Sequence, residues 1–386
     1  MAIHLDHNAT TPLRPEVREL MLDLLDQGLG NASSVHSTGR RSRAVIDEAR
    51  ERVAGALEVH EDEVVFTSGG TESNNLALFG AHAALSAAAS APARVVSSRI
   101  EHAAVLEPVR QLGDAGATTT LVVNDDEGRI DPAEVAAAAG PEGPVIVTLM
   151  AANNEIGSVV DLPAVRGALG RRTGLLLHTD AVQLLGKRPS GGLLSSVDLA
   201  SFSAHKVGGP VGVGLLLRKE GTRLVPRAFG GSQEAELRPG TENPAAIGAA
   251  ALAVELAVQE SEAFAARSKG LLQGFWRELQ AALPDVRLNG PPLTSPDRLP
   301  NTINVSFPFA GDARMLVARL DLAGLEVSAG SACASGSLEP SHVLEALGHE
   351  RARAVSALRI STGRSTEAGE LSTAVDTLRI TLGEAT

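Results

Sequence analysis

The sequence predicts an α/β fold: a mainly parallel, seven-stranded sheet covered on both faces, with a smaller α+β domain beside it. Between about residues 45 and 220, seven short β-rich runs alternate with amphipathic stretches. The runs are almost continuously apolar, as strands buried on both faces are. Several end in polar clusters, which is where open α/β sheets gather their ligands. A chain of 386 residues is long enough for two domains. We expect a large α/β domain over 15–255, and a small α+β domain built from 1–14 and 256–386 that carries the loop around Cys333.

In chain order the runs are Val64–Thr67, Arg94–Ser97, Thr120–Val123, Val145–Met150, Leu175–His178, Leu199–Phe202 and Gly212–Leu217. The polar signatures behind them are Ser68-Gly69-Gly70-Thr71, Glu101-His102, Asn153-Asn154-Glu155, Asp180 with Gln183, and Ser203-Ala204-His205-Lys206. From Ala245 to about Leu283, Ala, Leu and Val recur at helical spacing, predicting one long helix or two that lead out of the large domain. Asn301–Phe307 alternates as a strand does, Glu339–Gly348 reads as a helix started by Pro340 and closed by Gly348, and Ala357–Ser361 is a last strand. Alanine tracts such as Ala136–Ala139 belong in helices.

Composition narrows the function. A net charge of −12 argues against nucleic-acid binding, which draws on clustered Lys and Arg. The one basic cluster, Arg40-Arg41-Ser42-Arg43, is followed by Asp47, Glu48 and Glu51 and reads most simply as a solvated helix face, with docking of a partner as the alternative. A single cysteine, Cys333, can form neither an intrachain disulfide nor a cysteine-ligated metal site, so we expect a reducing compartment and no metal. The N-terminus shows no leader pattern, and no apolar stretch approaches the ~20 residues needed to span a bilayer. The expectation is a soluble, cytoplasmic protein that engages neither membrane nor nucleic acid.

The chemistry centres on Lys206. It follows a buried strand and precedes Gly208-Gly209, with Asp180 at the end of another strand. Pyridoxal phosphate requires this pairing: an amine for a Schiff base and an anion for the pyridinium nitrogen. Asp180 could equally be a helix N-cap. Gln183 could hydrogen-bond the ring hydroxyl. Gly70 and Thr71, at a strand-to-helix turn, could hold a phosphate through backbone N–H groups and a hydroxyl, although such turns are often only structural. His102 could stack on the cofactor and carry protons, or simply start a helix. Arg359, alternating with apolar residues on its strand, needs a partner: a substrate carboxylate or an internal Asp or Glu. Cys333 lies among Gly, Ser and Ala, too small and polar to enclose it in an apolar pocket, so an accessible thiol nucleophile is the reading.

Over nearly its whole length the sequence resembles the cysteine desulfurases of the NifS/IscS type, pyridoxal-phosphate enzymes of the aspartate-aminotransferase fold (fold type I). The resemblance rests on Leu5–Pro12, Gly30–His36, Thr67–Asn75, Glu101-His102, Asn153–Gly157, His178–Gln183, Ser203–Lys206, Arg238–Asn243, Gly330–Cys333 and Arg359–Ser361. It implies that Lys206 carries the cofactor, that Asp180 pairs with its nitrogen, and that Gly70, Thr71, Ser203 and His205 bind its phosphate. Thr241 would contribute from the other subunit of a homodimer. It implies further that Gln183 contacts the ring hydroxyl, that His102 stacks on the ring, that Asn153 lies near cofactor and substrate, and that Arg359, helped by Asn31, holds the substrate carboxylate. The implied reaction converts L-cysteine to L-alanine and leaves a persulfide on Cys333 for delivery to a sulfur-acceptor protein, such as an iron–sulfur scaffold. An aminotransferase on the same fold would use Lys206 and Asp180 but not Cys333. A selenocysteine lyase, or a catalytically silent scaffold protein that kept the fold, would also carry this pattern. The sequence departs from the family at Ser232, where glycine is usual, at Ala235, where arginine is usual, and at Val211, where lysine is common. It ends without the tail that housekeeping members use to meet an iron–sulfur scaffold.

Overall fold

All seven apolar runs are strands of one sheet in the computed structural model, which describes residues 2–189, 191–307, 312–329 and 340–383. The spatial order is Val64–Thr67, Gly214–Arg218, Leu199–Ser203, Leu175–Asp180, Val145–Thr148, Arg94–Ser98 and Thr119–Val122. Gly214–Arg218 runs antiparallel to both neighbours. The remaining pairs are parallel.

Alternate residues of these strands enter two different cores, which is what burial of both faces means. Val65, Val95, Ile146, Leu199 and Leu216 pack with Leu76, Leu78, Val105 and Leu112 from the helices Gly70–Ala89 and Ala103–Asp114. Phe66, Val96, Val147, Leu177, Phe202 and Leu215 pack on the opposite face, with Ile46 and Val53 of the helix Ser37–Leu57 and with Ile247 and Val254 of Pro244–Gln259. The small alanines of Pro244–Gln259, including Ala249, Ala250 and Ala253, are fully buried and let that helix lie deep in the core. It is started by Pro244 behind an Asn243 cap, whose Oδ1 accepts from the amide of Ala246 at 3.1 Å.

The helical stretch expected from Ala245 to Leu283 is two helices, Pro244–Gln259 and Ser261–Ala282, meeting at Glu260. Beyond them a second core forms around an antiparallel sheet in which Thr302–Ser306 pairs with both Arg287–Asn289 and Ala357–Ser361. Its apolar content comes from Leu272, Phe275, Ile303, Val305, Leu358, Ile360 and Leu378. The N-terminal segment belongs here too: Ile3–His4 pairs in parallel with Leu325–Glu326, and Leu5 is fully buried in this core. From Leu5 the chain crosses to the large sheet, where the amides of Thr11 and Arg14 donate to the carbonyls of His205 at 3.1 Å and Gly208 at 2.9 Å.

Some boundaries shift. The run expected to end at Met150 leaves the sheet at Thr148, and the Leu175 strand continues to Asp180. The helix expected between Glu339 and Gly348 covers His342–Ala346, capped by the Ser341 hydroxyl on the amide of Leu344 at 3.3 Å, with Gly348 at φ 76° beyond its end.

Candidate active site

The carboxyl ends of the sheet strands open into a cavity of ≈ 570 Å³. Gly70, Thr71, His102, Asp180, Gln183, Ser203, His205, Lys206 and Arg359 all line it. All but Arg359 arrive there because a strand of the large sheet stops and the next element begins; Arg359 comes from within the strand Ala357–Ser361.

Behind Val64–Thr67, Ser68 and Gly69 turn the chain into the helix Gly70–Ala89. Thr67 fixes the turn: its hydroxyl lies 2.8 Å from that of Ser73 and accepts from the amide of Gly69 at 3.4 Å. The neighbouring strand comes so close that a Cβ on Gly214 would fall 2.5 Å from the Gly69 backbone, and a Cβ on Gly70 would meet Val182 Cγ2 at 2.7 Å. The result is a bare helix N-terminus at the cavity wall, with unpaired N–H groups and the positive end of the helix dipole.

Asp180 closes the strand Leu175–Asp180 and is almost fully buried. Its Oδ2 accepts from Asn74 Nδ2 at 2.7 Å and its Oδ1 from the amide of Val182 at 3.0 Å. The cap-like contact expected of it is therefore present together with a place in the cavity. His102 likewise has both features: it is the N-cap of Ala103–Asp114, accepting from the amide of Ala104 at 3.1 Å, and it lines the cavity. Just before it, the Glu101 carboxyl is fully buried; Oε1 accepts from Met150 N and Ser98 Oγ, both at 2.8 Å, while Oε2 has no partner among the described residues. Burial pushes this carboxyl up to about 8 against the pull of those two donors.

Ser203 ends its strand, and Ala204–Lys206 forms a single 3₁₀ turn that aims Lys206 back across the strand ends. The Lys206 amine donates to the backbone carbonyls of Asn8 at 2.7 Å and Ala9 at 2.6 Å. His205 is pushed down to about 4, first by burial and then by Lys206 and Lys187, so it is a neutral imidazole at pH 7. Gln183 donates to the Asn8 carbonyl at 3.0 Å and accepts from Lys187.

Arg359 reaches the cavity from the strand Ala357–Ser361 of the second core. Its Nη2 donates to Asp6 Oδ1 at 2.6 Å and its Nη1 to the carbonyl of Asn154 at 3.2 Å, while among the described residues Nε has no partner. The internal salt bridge that its sequence position allows is thus formed, yet the guanidinium keeps a donor in reserve.

Other expected residues lie elsewhere. The buried side chain of Asn153 is committed elsewhere: Oδ1 accepts from Glu155 N and Ile156 N of its own turn, and Nδ2 donates to Ile100 O at 2.9 Å. Asn154 and Glu155 line the cavity in its place. Asn31 and Thr241 are exposed and do not line the cavity. Cys333 lies outside the described residues. Ser232, Ala235 and Val211 are exposed, and Ala235 sits in a left-handed run with Glu234 and Glu236 (φ 53°, 47° and 64°). That run is anchored by Glu234, which is bound to Arg50 at 2.7 Å and to the Phe66 amide at 2.7 Å. Sequence patterns assign no role to Asn74, Asp6, Asn8, Lys187 or His342. Asn8 lies within a family motif, and Lys187 stands four residues beyond Gln183, but a lone lysine ordinarily reads as surface.

The donor set fits pyridoxal phosphate. An amine, a buried carboxylate and a helix N-terminus with nearby Ser203 and His205 face one space, and the unpartnered Arg359 Nε and Asn74 Oδ1 mark unmet hydrogen-bonding capacity at its wall. No group of His, Cys, Asp and Glu suited to hold a metal occurs among the described residues, and no helix among them is long and apolar enough to cross a membrane.

The sequence pattern of the aminotransferase class-V family matches residues 3–373. The chain is 42% identical over 376 residues to the cysteine desulfurase IscS of Dictyoglomus turgidum, an alignment covering 97% of this chain and 93% of that protein. Among solved structures it is similar to a NifS-like protein, with TM-score 0.90, 33% identity and 100% of each chain covered. It is also similar to a structure described as SspA in complex with cysteine, with TM-score 0.78, 29% identity and coverage of 93% and 98%.

Proposed function

The chain belongs to the aminotransferase class-V family and, within it, to the cysteine desulfurases, and on that premise we propose that it converts L-cysteine to L-alanine and takes the sulfur onto Cys333 as a persulfide. The observation that carries this reading is the convergence of Lys206, Asp180, the helix N-terminus at Gly70 and Arg359 on one cavity at the strand ends.

Pyridoxal phosphate, when bound, supplies an electron sink for the bonds at the substrate Cα. Lys206 would hold it covalently, Asp180 would face its ring nitrogen, and Gly70, Thr71, Ser203 and the neutral His205 would hold its phosphate. His102 would lie against the ring and Gln183 at its hydroxyl. Asn74 and the amide of Val182 occupy the two Asp180 oxygens and hold the carboxylate in its orientation. Arg359 would take the substrate carboxylate, and Lys206, once released, would move the Cα proton. The Cys333 thiolate attacks the substrate sulfur: an S–S bond forms, the C–S bond breaks, and its electron pair ends as a C–H bond at Cβ after protonation, giving alanine. Sulfur leaves oxidised as persulfide and the carbon is reduced, so the step balances without another reagent.

The same reading carries a cytoplasmic homodimer that passes sulfur to an acceptor protein. In its support, Val35 and Phe229 are 88% and 85% exposed, on segments joined by the Gln233–Ser33 contact at 3.5 Å. Thr241 would serve the neighbouring subunit's site from its exposed position.

The test is incubation of purified protein with L-cysteine and dithiothreitol, with sulfide and alanine quantified for wild type and Cys333→Ala. Equimolar products from the wild type, lost in the variant while the cofactor absorbance persists, are expected. Keto-acid formation without sulfide would point to transamination instead.

A further inference from the structure

Lys187 is a buried lysine to which the proposed reaction gives no role. It donates to Asn8 Oδ1 at 2.9 Å and to Gln183 Oε1, both neutral amide oxygens, and among the described residues it forms no ion pair. It also lines a second cavity, of ≈ 240 Å³. The lining of this cavity has one residue in common with that of the first, Lys206, and the N-terminal segment contributes to each in turn: Asn8 and Ala9 to the first, His7 and Thr11 to the second. Two further groups at the second cavity have hydrogen-bonding capacity that nothing among the described residues uses. Thr362 is fully buried, its backbone tied to Asn301 at 2.9 and 3.1 Å, yet its Oγ1 has no partner there. His7 is 4% exposed, and its Nδ1 has none either. Burial, followed by His4 and Lys187, pushes His7 down to about 4, so at pH 7 it is a neutral imidazole. Buried polar groups are ordinarily satisfied, and orphans gathered at one cavity point to a ligand.

We propose that this second cavity binds a small carboxylate, held by Lys187 and the Thr362 hydroxyl with the His7 imidazole beside it. The charge of the lining favours an anion. It carries Arg14, Lys187, Lys206 and Arg364 against one carboxylate, Glu260, which Arg14 already holds at 2.9 Å. An ammonium is costly to bury among neutral partners alone. Burial, followed by Lys206 and Arg359, accordingly pushes Lys187 well below the ordinary lysine range, and an anion in the cavity supplies the counter-charge that its two amide partners do not. A carboxylate matches the remaining groups as well, with one oxygen for the ammonium and a second for the hydroxyl or the imidazole N–H. The cavity has less than half the volume of the first, which suits an anion of a few heavy atoms.

The site stands apart from the desulfurase reading, and its experiment uses neither cysteine nor turnover. Full-length, cofactor-loaded protein is titrated with acetate, binding is read by saturation transfer to the acetate methyl protons, and a melting curve is recorded for each variant. The wild type is expected to saturate with a Kd on the order of 1 mM, within reach of a four-heavy-atom ligand. Lys187→Gln, which removes the charged donor, should weaken binding at least tenfold. Thr362→Val replaces an unpartnered hydroxyl by a methyl group of the same shape, so it should melt as the wild type does and bind acetate about three- to tenfold more weakly. Arg359→Lys, which alters the first cavity, should bind as the wild type does. Absence of saturation by about 50 mM overturns the proposal. So does a folded Lys187→Gln or Thr362→Val with wild-type affinity, and if Lys187→Gln does not fold, Thr362→Val decides alone. Loss of binding in Arg359→Lys would place the acetate in the first cavity and overturn the proposal as well.

Discussion

A carboxyl buried as completely as that of Glu101, pushed up to about 8, makes the fold itself pH-sensitive. In the unfolded chain this group loses its proton near pH 4.5, whereas in the folded protein it keeps the proton until about 8. Between those values the folded state binds more protons than the unfolded one, so the contribution of Glu101 to stability falls as pH rises, by up to about tenfold in the folding equilibrium per pH unit. Glu101→Gln keeps an oxygen for the Ser98 hydroxyl and the Met150 amide but does not titrate. Denaturant midpoints at pH 5 and pH 8 should therefore show the variant gaining on the wild type at the higher pH; a difference that stays constant between the two would mean that Glu101 does not titrate in this window. Lys206 and Asp180 are legible in the sequence because each is a polar residue closing an apolar run, where a buried strand releases its chain. Lys187 is not: followed by Arg188, it has the look of a solvated pair, and only the fold turns it inward onto Asn8. Asn153 shows the reverse, since a motif carries it as a site residue while its side chain is used on the backbone of its own turn and of Ile100.

At the scale of elements, the helix Gly70–Ala89 matters through its first turn. A Cβ at Gly70 would lie 2.7 Å from Val182 Cγ2, and Val182 follows Asp180, so even one methyl group presses the phosphate end of the site against the ring-nitrogen end. Gly70→Ala is expected to weaken pyridoxal-phosphate retention roughly tenfold, about 1.4 kcal/mol, with little change in melting of the cofactor-free protein. Equilibrium titration of cofactor absorbance measures it, and unchanged retention would take this turn out of the phosphate site. The strands themselves can be read from the sequence because burial on both faces leaves an uninterrupted apolar run. Their directions cannot: the run that becomes Gly214–Arg218 looks like its neighbours in the seven-stranded sheet, yet it is antiparallel to both strands beside it. Its direction is set by the short turn after Lys206, which returns the chain directly alongside Leu199–Ser203. A run of apolar residues carries no record of that.

Across the whole molecule, the site depends on a segment rooted in the second core and hydrogen-bonded to the turns of the large sheet. Residues 3–14 start in the second core with Leu5, place Asp6 on Arg359, present both Asn8 oxygens to Lys187 and Lys206, and end at Arg14, which donates to Val207 O at 3.1 Å and to Glu260 at 2.9 Å. Arg359 is where this strap, the second sheet and the Asn154 loop meet. A planar fork can serve Asp6, a backbone carbonyl and a substrate carboxylate at once, whereas an ammonium is a point charge that cannot span all three. Arg359→Lys keeps the charge beside Asp6, so the strap should hold and the melting temperature should change little. The substrate carboxylate loses its directed donors, and KM for L-cysteine should rise roughly 10- to 100-fold, corresponding to about 1.4–3 kcal/mol, while kcat falls less. Separate determination of KM, kcat and melting temperature decides between the two roles of this residue. A large loss of stability with KM unchanged would make Arg359 a strut between the two cores. A raised KM on an intact fold would mean that the residue joining the cores also binds the substrate, so that movement of one core relative to the other would be felt directly in cysteine binding.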